Sequence, residues 1–339
     1  MEFLSEYGLF LAKAVTFVVV VAMIIGLVAS AGQKPKPENI TVHFLNEKLS
    51  KLKQKLQESV LDKKQLKTLK KEENKAKKKN KDEEQAPREK VYVLNFNGDI
   101  KASQSEQLKD EITALLSMEG HVDEVVVKVE SGGGMVHQYG YAASQLDRIK
   151  AQGIPLTICV DKVAASGGYM MAVVADKIIA APFAVIGSIG VIAQLPNFNK
   201  LLKKNDIDFE VHTAGEYKRT LTVFGENTDK AREKFREDLA DVHVLFKNFI
   251  HQHRPSVDLE KVANGDVWYG QDALAQDLVD IVSTSDDYLL ARCKEADVYE
   301  LKSEQKKPLL KRLGASAQGA LYQSIESAVN KLAFHKWYM

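Results

Sequence analysis

The sequence predicts an α/β domain in the central part of a 339-residue chain. Short runs rich in valine and isoleucine alternate there with segments whose apolar residues recur every three or four positions. These two patterns are typical of buried strands and amphipathic helices, and their alternation is characteristic of α/β folds. Glycine-rich turns occur after two of the predicted strands, at 132–134 and, a few residues farther on, at 167–168. Glycines at such ends allow a ligand to approach the backbone closely.

Composition and charge divide the chain into four parts: an N-terminal segment (1–31), a basic helical stalk (32–89), the α/β body (90–290) and a basic amphipathic tail (291–339). The net charge is only +1, but residues 32–90 hold eighteen Lys or Arg against ten acidic residues, and the rest of the chain from residue 91 holds twenty-eight against thirty-four. A basic stalk therefore precedes a mildly acidic body. Two cysteines are too few for a disulfide framework.

The N-terminal segment is predicted to be a transmembrane helix. No charged residue occurs from Ala14 to Ala31, and the apolar character begins near residue 8. A span of this length crosses the hydrocarbon core. We predict an uncleaved anchor that contacts the lipid bilayer through residues 8–31. The alternative is a cleavable signal peptide, since Ala29-Ser30-Ala31 is small enough to be cut.

The orientation of this anchor is left open by the sequence. Only Lys13 precedes the apolar run, whereas several lysines follow it within the next twenty-five residues. The positive-inside rule therefore places the body in the cytoplasm.

The stalk carries a helical stripe, formed by Leu45, Leu49, Leu52, Leu56 and Val60. Such a stripe fits either a short coiled coil between subunits or a solvated helix. The lysine run over 75–81 has no aromatic platform beside it, so we expect no nucleic-acid binding. Anionic lipid headgroups are a better match for lysines beside a membrane anchor.

The body is predicted element by element from its periodicity. Strands are expected at 91–96, 125–129, 156–160, 177–181, 185–192 and 208–213. Helices are expected where apolar residues share one face, around Leu108 to Leu116, Tyr139 to Ile149, Gly168 to Ala175, Phe235 to Ile250 and Val257 to Ala263. In the tail, Leu321, Ile325, Val329 and Leu332 predict an amphipathic helix for a membrane or a neighbouring subunit.

Ser166 and Lys218 are the strongest candidates for catalysis. Ser166 lies at a predicted strand-to-helix corner, and Lys218 follows it by fifty-two residues in the segment Gly215-Glu216-Tyr217-Lys218-Arg219. A serine hydroxyl needs a base to become a nucleophile, and a lysine can be that base when burial disfavours its ammonium form. The alternative for Ser166 is a helix N-cap followed by a flexible turn.

Three further residues fit supporting roles. The N–H groups of Gly133 and Gly167 are candidates for an oxyanion hole. Ser188 lies between glycines in an apolar strand, where its hydroxyl needs a partner, and we pair it with Lys218. The alternatives are a plain strand-to-helix turn at Gly133, a phosphate-binding loop there, and a serine bonded to backbone at Ser188.

These motifs resemble the signal peptide peptidase family of serine peptidases, the SppA/SohB type. The resemblance extends over most of the chain and is densest from Val91 to Val282. It implies Ser166 as the nucleophile, Lys218 as the general base, Ser188 as the serine that holds the lysine, and Gly133 as an oxyanion donor. Two departures stand out, because Gly132 replaces a usual proline and Asp277 replaces a common glycine.

The same resemblance implies the remaining expectations. It implies a ClpP/crotonase-like fold of repeated ββα units, hydrolysis of signal peptides or unfolded and membrane-associated polypeptides, a homo-oligomer, and a location at the bacterial inner membrane. It also implies a periplasmic catalytic domain, in conflict with the positive-inside count. The mechanism requires no cofactor and no metal.

Two rival functions remain at this stage. A crotonase-type acyl-CoA enzyme would share the fold and the oxyanion hole, and a catalytically inactive membrane scaffold would share the anchor. His137, just past the glycine loop, is the alternative base if Lys218 is not the one.

Overall fold

The computed structural model describes residues 39–69, 71 and 88–304, together with seven helical residues between 8 and 17. The chain divides into two compact units, one of residues 1–40 with 303–339 and one of residues 41–302. Most of the predicted anchor, the lysine run 75–81 and the tail from residue 305 lie outside the described residues. Among the helices that the structure describes, none combines the length and the apolar character needed to cross a membrane.

Ten strands are described, in chain order β1 Asn39–Phe44, β2 Lys90–Gly98, β3 Glu124–Ser131, β4 Leu156–Val160, β5 Val163–Ala165, β6 Lys177–Ala180, β7 Val185–Gly187, β8 Val267–Tyr269, β9 Ile281–Val282 and β10 Asp297–Glu304. The described helices between them include α1 Leu45–Val60, α2 Ser105–Leu116, α3 Val136–Ala151, α4 Gly167–Ala172, α5 Asn199–Lys204, α6 Asp229–His253, α7 Leu259–Val262, α8 Gly270–Ala275 and α9 Ser285–Glu295.

The main sheet has the order β1-β10-β2-β3-β4-β6-β9, and its strands from β10 to β9 are parallel. A short second layer branches from it, because β5 pairs with β3 and with β7, and β7 pairs antiparallel with β8. The chain thus alternates between layers, from β4 to β5 and from β6 to β7. This alternation brings the carboxyl ends of β3, β5 and β7 together, where active sites of α/β sheets form.

Burial on both faces of the sheet explains why the sequences of the central strands are continuous apolar runs. Val125, Val126 and Val127 are all completely buried, so both faces of β3 are covered. The predicted strands 91–96, 125–129, 156–160 and 177–181 match β2, β3, β4 and β6 to within a few residues. The helix around Tyr139 is also confirmed, and its apolar stripe faces the core.

The second half of the body differs from the prediction in two places. The strand expected over 185–192 ends at Gly187, because Ser188 adopts a left-handed backbone angle, with φ of 50°. The strand expected over 208–213 is absent from the described structure, and α5 is the one helix or strand between 190 and 228. Without strand neighbours, several apolar side chains of this segment stay exposed, including Ile192, Ile207 and Phe209.

The predicted domain boundary at residue 290 lies inside α9. After this helix, β10 continues the main sheet by pairing parallel with β2, with Asp297 opposite Lys90. The first part of the predicted stalk belongs to the body as well, because Leu45 packs against a core cluster that includes Val298 and Leu289.

Candidate active site

Ser166 occupies a strained corner between β5 and α4. Its φ is 52° and its ψ is −118°, values that a residue with a Cβ rarely adopts. The corner is held by a hydrogen bond from the Ser166 N–H to the Gly187 carbonyl, 2.8 Å long. Backbone strain of this kind costs about 1–3 kcal/mol and clusters at functional sites. A sharp strand-to-helix turn lifts a serine hydroxyl out of the sheet, as in nucleophile elbows.

Gly133 lies directly against this corner. Its φ is 87°, and a Cβ at this position would be 2.7 Å from the Ser166 Cβ and 2.8 Å from the Ala165 carbonyl oxygen. The same atom would be 2.7 Å from the Gly167 backbone nitrogen. Only glycine fits both the backbone angle and the space. The structure therefore brings Ser166, Gly133 and Gly167 together, as the sequence predicts.

Gly167 begins α4 and packs under the ring of Tyr139. A Cβ there would overlap the ring carbons, so glycine allows the Ser166 corner to pack on this aromatic residue. Within the described part of the chain, the Gly167 N–H donates no hydrogen bond. The first N–H groups of a helix are free to bind an external acceptor.

A chain of three hydrogen bonds fixes the glycine loop. The Tyr139 hydroxyl donates to the Asp99 carbonyl at 2.8 Å, so the Ser131 hydroxyl must donate to the Tyr139 oxygen at 2.5 Å. Ser131 Oγ in turn accepts the Gly133 N–H at 3.0 Å. Burial raises the pKa of Tyr139, which keeps the phenol protonated. Each of these three hydrogen bonds therefore has a defined donor and acceptor.

The hydrogen bond between Gly133 and Ser131 affects the predicted oxyanion hole. The Gly133 N–H already bonds Ser131 Oγ. To stabilise an oxyanion, the Gly133 peptide must turn or share its hydrogen between two oxygens. The same loop is also tied to the segment before α2, because the Met135 N–H donates to the Ile100 carbonyl at 2.9 Å.

Ser188 lies beside Ser166 at the end of the neighbouring strand. Ala165 of β5 is paired with Gly187 of β7, so the two serines follow paired residues of adjacent parallel strands. The Ser188 N–H donates to the Asp266 carbonyl at 2.7 Å. Both serines are half-buried, and neither hydroxyl bonds a described residue. Their hydroxyls are thus open to a further partner.

Lys218 is not brought to this corner within the single chain. It is exposed, in a turn where its N–H donates to the Gly215 carbonyl. The neighbouring residues of the turn bind α6 instead, through an ion pair of Glu216 with Lys230 and through Lys234 over the Tyr217 ring. Among the described residues, Lys218 has no side-chain hydrogen bond or ion pair. The expected burial of the amine is absent from the isolated chain.

The remaining candidates from the sequence are the alternative base His137 and a metal site. His137 is exposed at the start of α3. No cluster of three or more His, Cys, Asp or Glu side chains suited to a metal occurs among the described residues.

Sequence reasoning missed the hydrogen-bonded pair of Ser131 and Tyr139. Ser131 directly precedes the glycines, and Tyr139 was interpreted only as a core residue of a helix. The available signal was the polar oxygen of a tyrosine on an otherwise apolar stripe, because a buried phenol needs a partner. Gly98 allows the pair to form, since a Cβ there would overlap both hydroxyl oxygens.

Comparison with known proteins identifies relatives over nearly the whole chain. Residues 2–146 match the model of peptidase family S49 N-terminal, and residues 148–299 match that of peptidase family S49. The chain is 46% identical to "Probable protease SohB" of Haemophilus influenzae over 97% of its length and 95% of that protein. It is 50% identical to "Probable protease SohB" of Buchnera aphidicola from Acyrthosiphon pisum, over 74% of each chain.

A solved structure shows a weaker likeness. The 1510-N membrane-bound stomatin-specific protease aligns with 65% of this chain and 100% of its own, at 15% identity and a TM-score of 0.43. A likeness at that level supports no inference about this chain.

Proposed function

The chain belongs to peptidase family S49, the serine peptidases that include the SppA/SohB type, and from this premise we propose that it is a membrane-anchored endopeptidase with Ser166 as nucleophile and Lys218 as general base. Its family consists of proteases, which disfavours the two rival functions, an acyl-CoA enzyme and an inactive scaffold. We further propose that the alternation of β4, β5 and α4 with β6 and β7 is the ClpP/crotonase type of fold.

The backbone geometry at Ser166 is the main reason for proposing this residue as the nucleophile. Ser166 combines a left-handed strand-to-helix corner with two glycine peptides packed against it, one of which begins a helix. An ordinary N-cap serine adopts an extended backbone and needs no such strain. Here the strain presents the hydroxyl beside N–H groups that can stabilise an oxyanion.

The proposed reaction follows the acyl-enzyme route. Lys218, in its neutral form, removes the proton of the Ser166 hydroxyl, and Ser166 Oγ attacks the carbonyl carbon of a peptide bond. The N–H groups of Gly167 and Gly133 stabilise the negative oxygen. The leaving amine takes the proton from Lys218 as the C–N bond breaks, which leaves the acyl group on Ser166 Oγ. Lys218 then removes a proton from a water molecule whose oxygen attacks the ester, and it returns that proton to Ser166 Oγ as the ester bond breaks. Ser188 accepts a hydrogen bond from Lys218 and orients it.

A second copy of the chain completes the site in this proposal. A lysine serves as a base where burial disfavours its ammonium form, and the single chain does not provide that burial at Lys218. Lys218 lies in a segment whose apolar residues are uncovered, with Ile192 78% exposed and Tyr217 50% exposed. Exposed apolar residues concentrated in one segment are typical of surfaces that pack against a partner. Packing of this segment in a homo-oligomer would bury the amine next to a serine pair.

The proposed substrates are polypeptides near a bilayer. A membrane anchor over residues 8–31 would keep the site close to signal peptides and to unfolded or membrane-associated chains. The anchor places the protein at the bacterial inner membrane, as the family resemblance implies.

The nucleophile is tested with a fluorophosphonate probe and casein hydrolysis. We expect the full-length protein to react with the probe, and Ser166→Ala to lose both labelling and hydrolysis by at least about a thousandfold. Lys218→Ala should lose hydrolysis to a similar extent, whereas Lys200→Ala, in the same segment, should keep it. Full activity in Lys218→Ala would exclude this base.

The role of a second copy is tested by mixing two inactive variants. If Lys218 of one copy serves Ser166 of another, Ser166→Ala and Lys218→Ala proteins that are mixed and allowed to exchange subunits should recover a fraction of the wild-type activity. No recovery, with exchange verified by mass, would place the dyad within one chain.

A further inference from the structure

Helix α1 carries an apolar stripe that the body covers only at its beginning. Leu45 packs against the core cluster. Farther along the same stripe, the exposed fraction of the side chains rises from 56% at Leu52 to 66% at Leu56 and 72% at Val60. The last turns of α1 therefore present uncovered leucine and valine to the surroundings.

The start of α1 is fixed, so the direction of the helix is set. The Asn46 amide nitrogen donates to the Cys293 and Ala296 carbonyls at 2.9 and 2.8 Å, and its carbonyl oxygen accepts the Val298 N–H at 2.8 Å. A rise of about 1.5 Å per residue makes the exposed stretch from Leu52 to Val60 about 12 Å long.

The charges of α1 are arranged around this stripe. At about 100° per residue the apolar side chains occupy a sector of about 80°. Lys48 and Lys55 border one side of it and Lys53 the other, whereas Glu47 and Glu58 lie on the opposite face. Lysines at the edge of an apolar stripe, with acidic residues far from it, are typical of helices that lie in a membrane interface.

The same lysines disfavour pairing with a second α1. If Leu49 and Leu56 occupy heptad position a, the flanking e and g positions hold Lys48, Lys53 and Lys55. A parallel pair places Lys48 opposite Lys53 of the second copy, and an antiparallel pair places lysines of like position opposite each other. Either pairing brings like charges together next to the seam, so the partner must be anionic.

We propose that the exposed stripe of α1 binds the surface of an anionic lipid bilayer. Leu52, Leu56 and Val60 insert at the boundary of headgroups and acyl chains, and the bordering lysines contact the anionic headgroups. The predicted membrane segment ends at Ala31, fourteen positions before α1, so a bilayer is the anionic surface nearest to this helix along the chain. The contact fixes the height of the body above the membrane and is independent of the chemistry at Ser166.

The test measures the accessibility of two positions on opposite faces of α1. The full-length protein carrying Leu56→Cys or Gln54→Cys is reconstituted into vesicles of phosphatidylcholine, with or without phosphatidylglycerol, and reacted with a water-soluble maleimide. The unsubstituted protein corrects for Cys159 and Cys293. We expect phosphatidylglycerol to slow the reaction at Leu56→Cys by about tenfold or more and at Gln54→Cys by less than about twofold.

A charge-reversed protein is the matched control, and three results would overturn the proposal. Replacing Lys48, Lys53 and Lys55 by Glu should abolish the effect of phosphatidylglycerol. Equal reactivity at Leu56→Cys in both kinds of vesicle would mean that no anionic lipid covers the stripe, as expected for a solvated helix or a protein partner. A phosphatidylglycerol effect that persists after charge reversal would exclude the lysines. Protection that accompanies a disulfide between two Leu56→Cys copies would assign the stripe to a second chain.

Discussion

Left-handed backbone angles mark the residues that form the nucleophile corner. Ser166, Ser188 and Gly133 have φ of 52°, 50° and 87°. Two of them are not glycine, although a side chain makes this angle unfavourable by about 1–2 kcal/mol. Strain at two adjacent serines agrees with the roles that we propose for their hydroxyls.

The glycine loop offers a matched pair of substitutions. Gly133→Ala introduces a Cβ 2.7 Å from both the Ser166 Cβ and the Gly167 nitrogen, at a φ of 87°. Gly132→Ala introduces a Cβ with no atom within 4 Å. We expect Gly133→Ala to lower fluorophosphonate labelling by about a hundredfold and stability by about 1–3 kcal/mol, and Gly132→Ala to change both very little.

Thermal denaturation separates lost chemistry from lost folding in this comparison. Labelling should be measured well below the melting temperature of each variant. Normal labelling of a folded Gly133→Ala protein would contradict a close packing of this loop against the nucleophile.

Asp277 has a left-handed backbone angle, which favours glycine over a residue with a side chain. It follows α8 with φ of 57°, and the hydrogen bonds from Leu278 N–H to Ala273 and from Asp277 N–H to Leu274 form a Schellman motif. We therefore expect Asp277→Gly to stabilise the protein by about 1 kcal/mol, or about 2–4 °C in melting temperature. Asp277→Ala keeps the steric conflict and should not stabilise it. A lower melting temperature for Asp277→Gly would show that the carboxylate stabilises this turn.

At the scale of elements, the positions of the candidate site residues could largely be predicted. Strand ends are visible in sequence, because completely buried strands are continuous apolar runs and glycines follow them, as at Val127 and Gly133. The length of β7 could not be predicted, since its last apolar residues continue past Gly187 while the backbone turns at Ser188. The left-handed turn at Ser188 is accompanied by a hydrogen bond from its N–H to the carbonyl of Asp266, seventy-eight positions away, and such a distant contact is not visible in the local sequence.

The attachment of α1 gives a prediction about this element alone. Asn46→Ala removes three hydrogen bonds to the junction of α9 and β10 and leaves the Val298 N–H without its acceptor. Unpaired buried groups cost about 1–3 kcal/mol. We expect hydrogen exchange of the α1 amides to accelerate about tenfold or more, with β3 unchanged.

The control for this prediction is Gln54→Ala. Gln54 bonds only Glu58 on the exposed face of α1, so its loss should leave exchange near wild type. Unchanged protection in Asn46→Ala would mean that the packing of Leu45 is enough to hold the helix.

At the scale of the whole molecule, the sequence predicts the kind of fold better than its assembly. The strand order β10-β2-β3-β4-β6-β9 depends on which strands meet in space, and β10 comes from a region that composition assigned to a tail. The same holds for Lys218, which we propose as the base although the folded chain leaves it exposed. In our proposal its environment depends on contacts with a second copy, which a single chain does not contain.

Global stability should also depend on pH through a buried histidine that joins α6 to α3. The side chain of His253 is only 7% exposed, its ring is 4.5 Å from that of Phe249, and its Nε2 has no hydrogen-bond partner within the described chain. Burial lowers the pKa of His253, Lys150 acts in the same sense, and Asp147, 3.9 Å away, opposes them.

The sign of the effect follows from this lowered pKa. Below the ordinary value of 6.5, the unfolded chain binds a proton that the folded chain does not, so stability is lost as the pH falls. The loss is at most about 1.4 kcal/mol per pH unit for one group. We expect the melting temperature of His253→Phe to fall less than that of the wild type between about pH 7.5 and about pH 5.5. His251→Phe, at an exposed position of the same helix, should follow the wild type. Parallel curves for all three proteins would show that His253 gains a proton as readily in the folded state as in the unfolded one, and that Asp147 then balances the effect of burial.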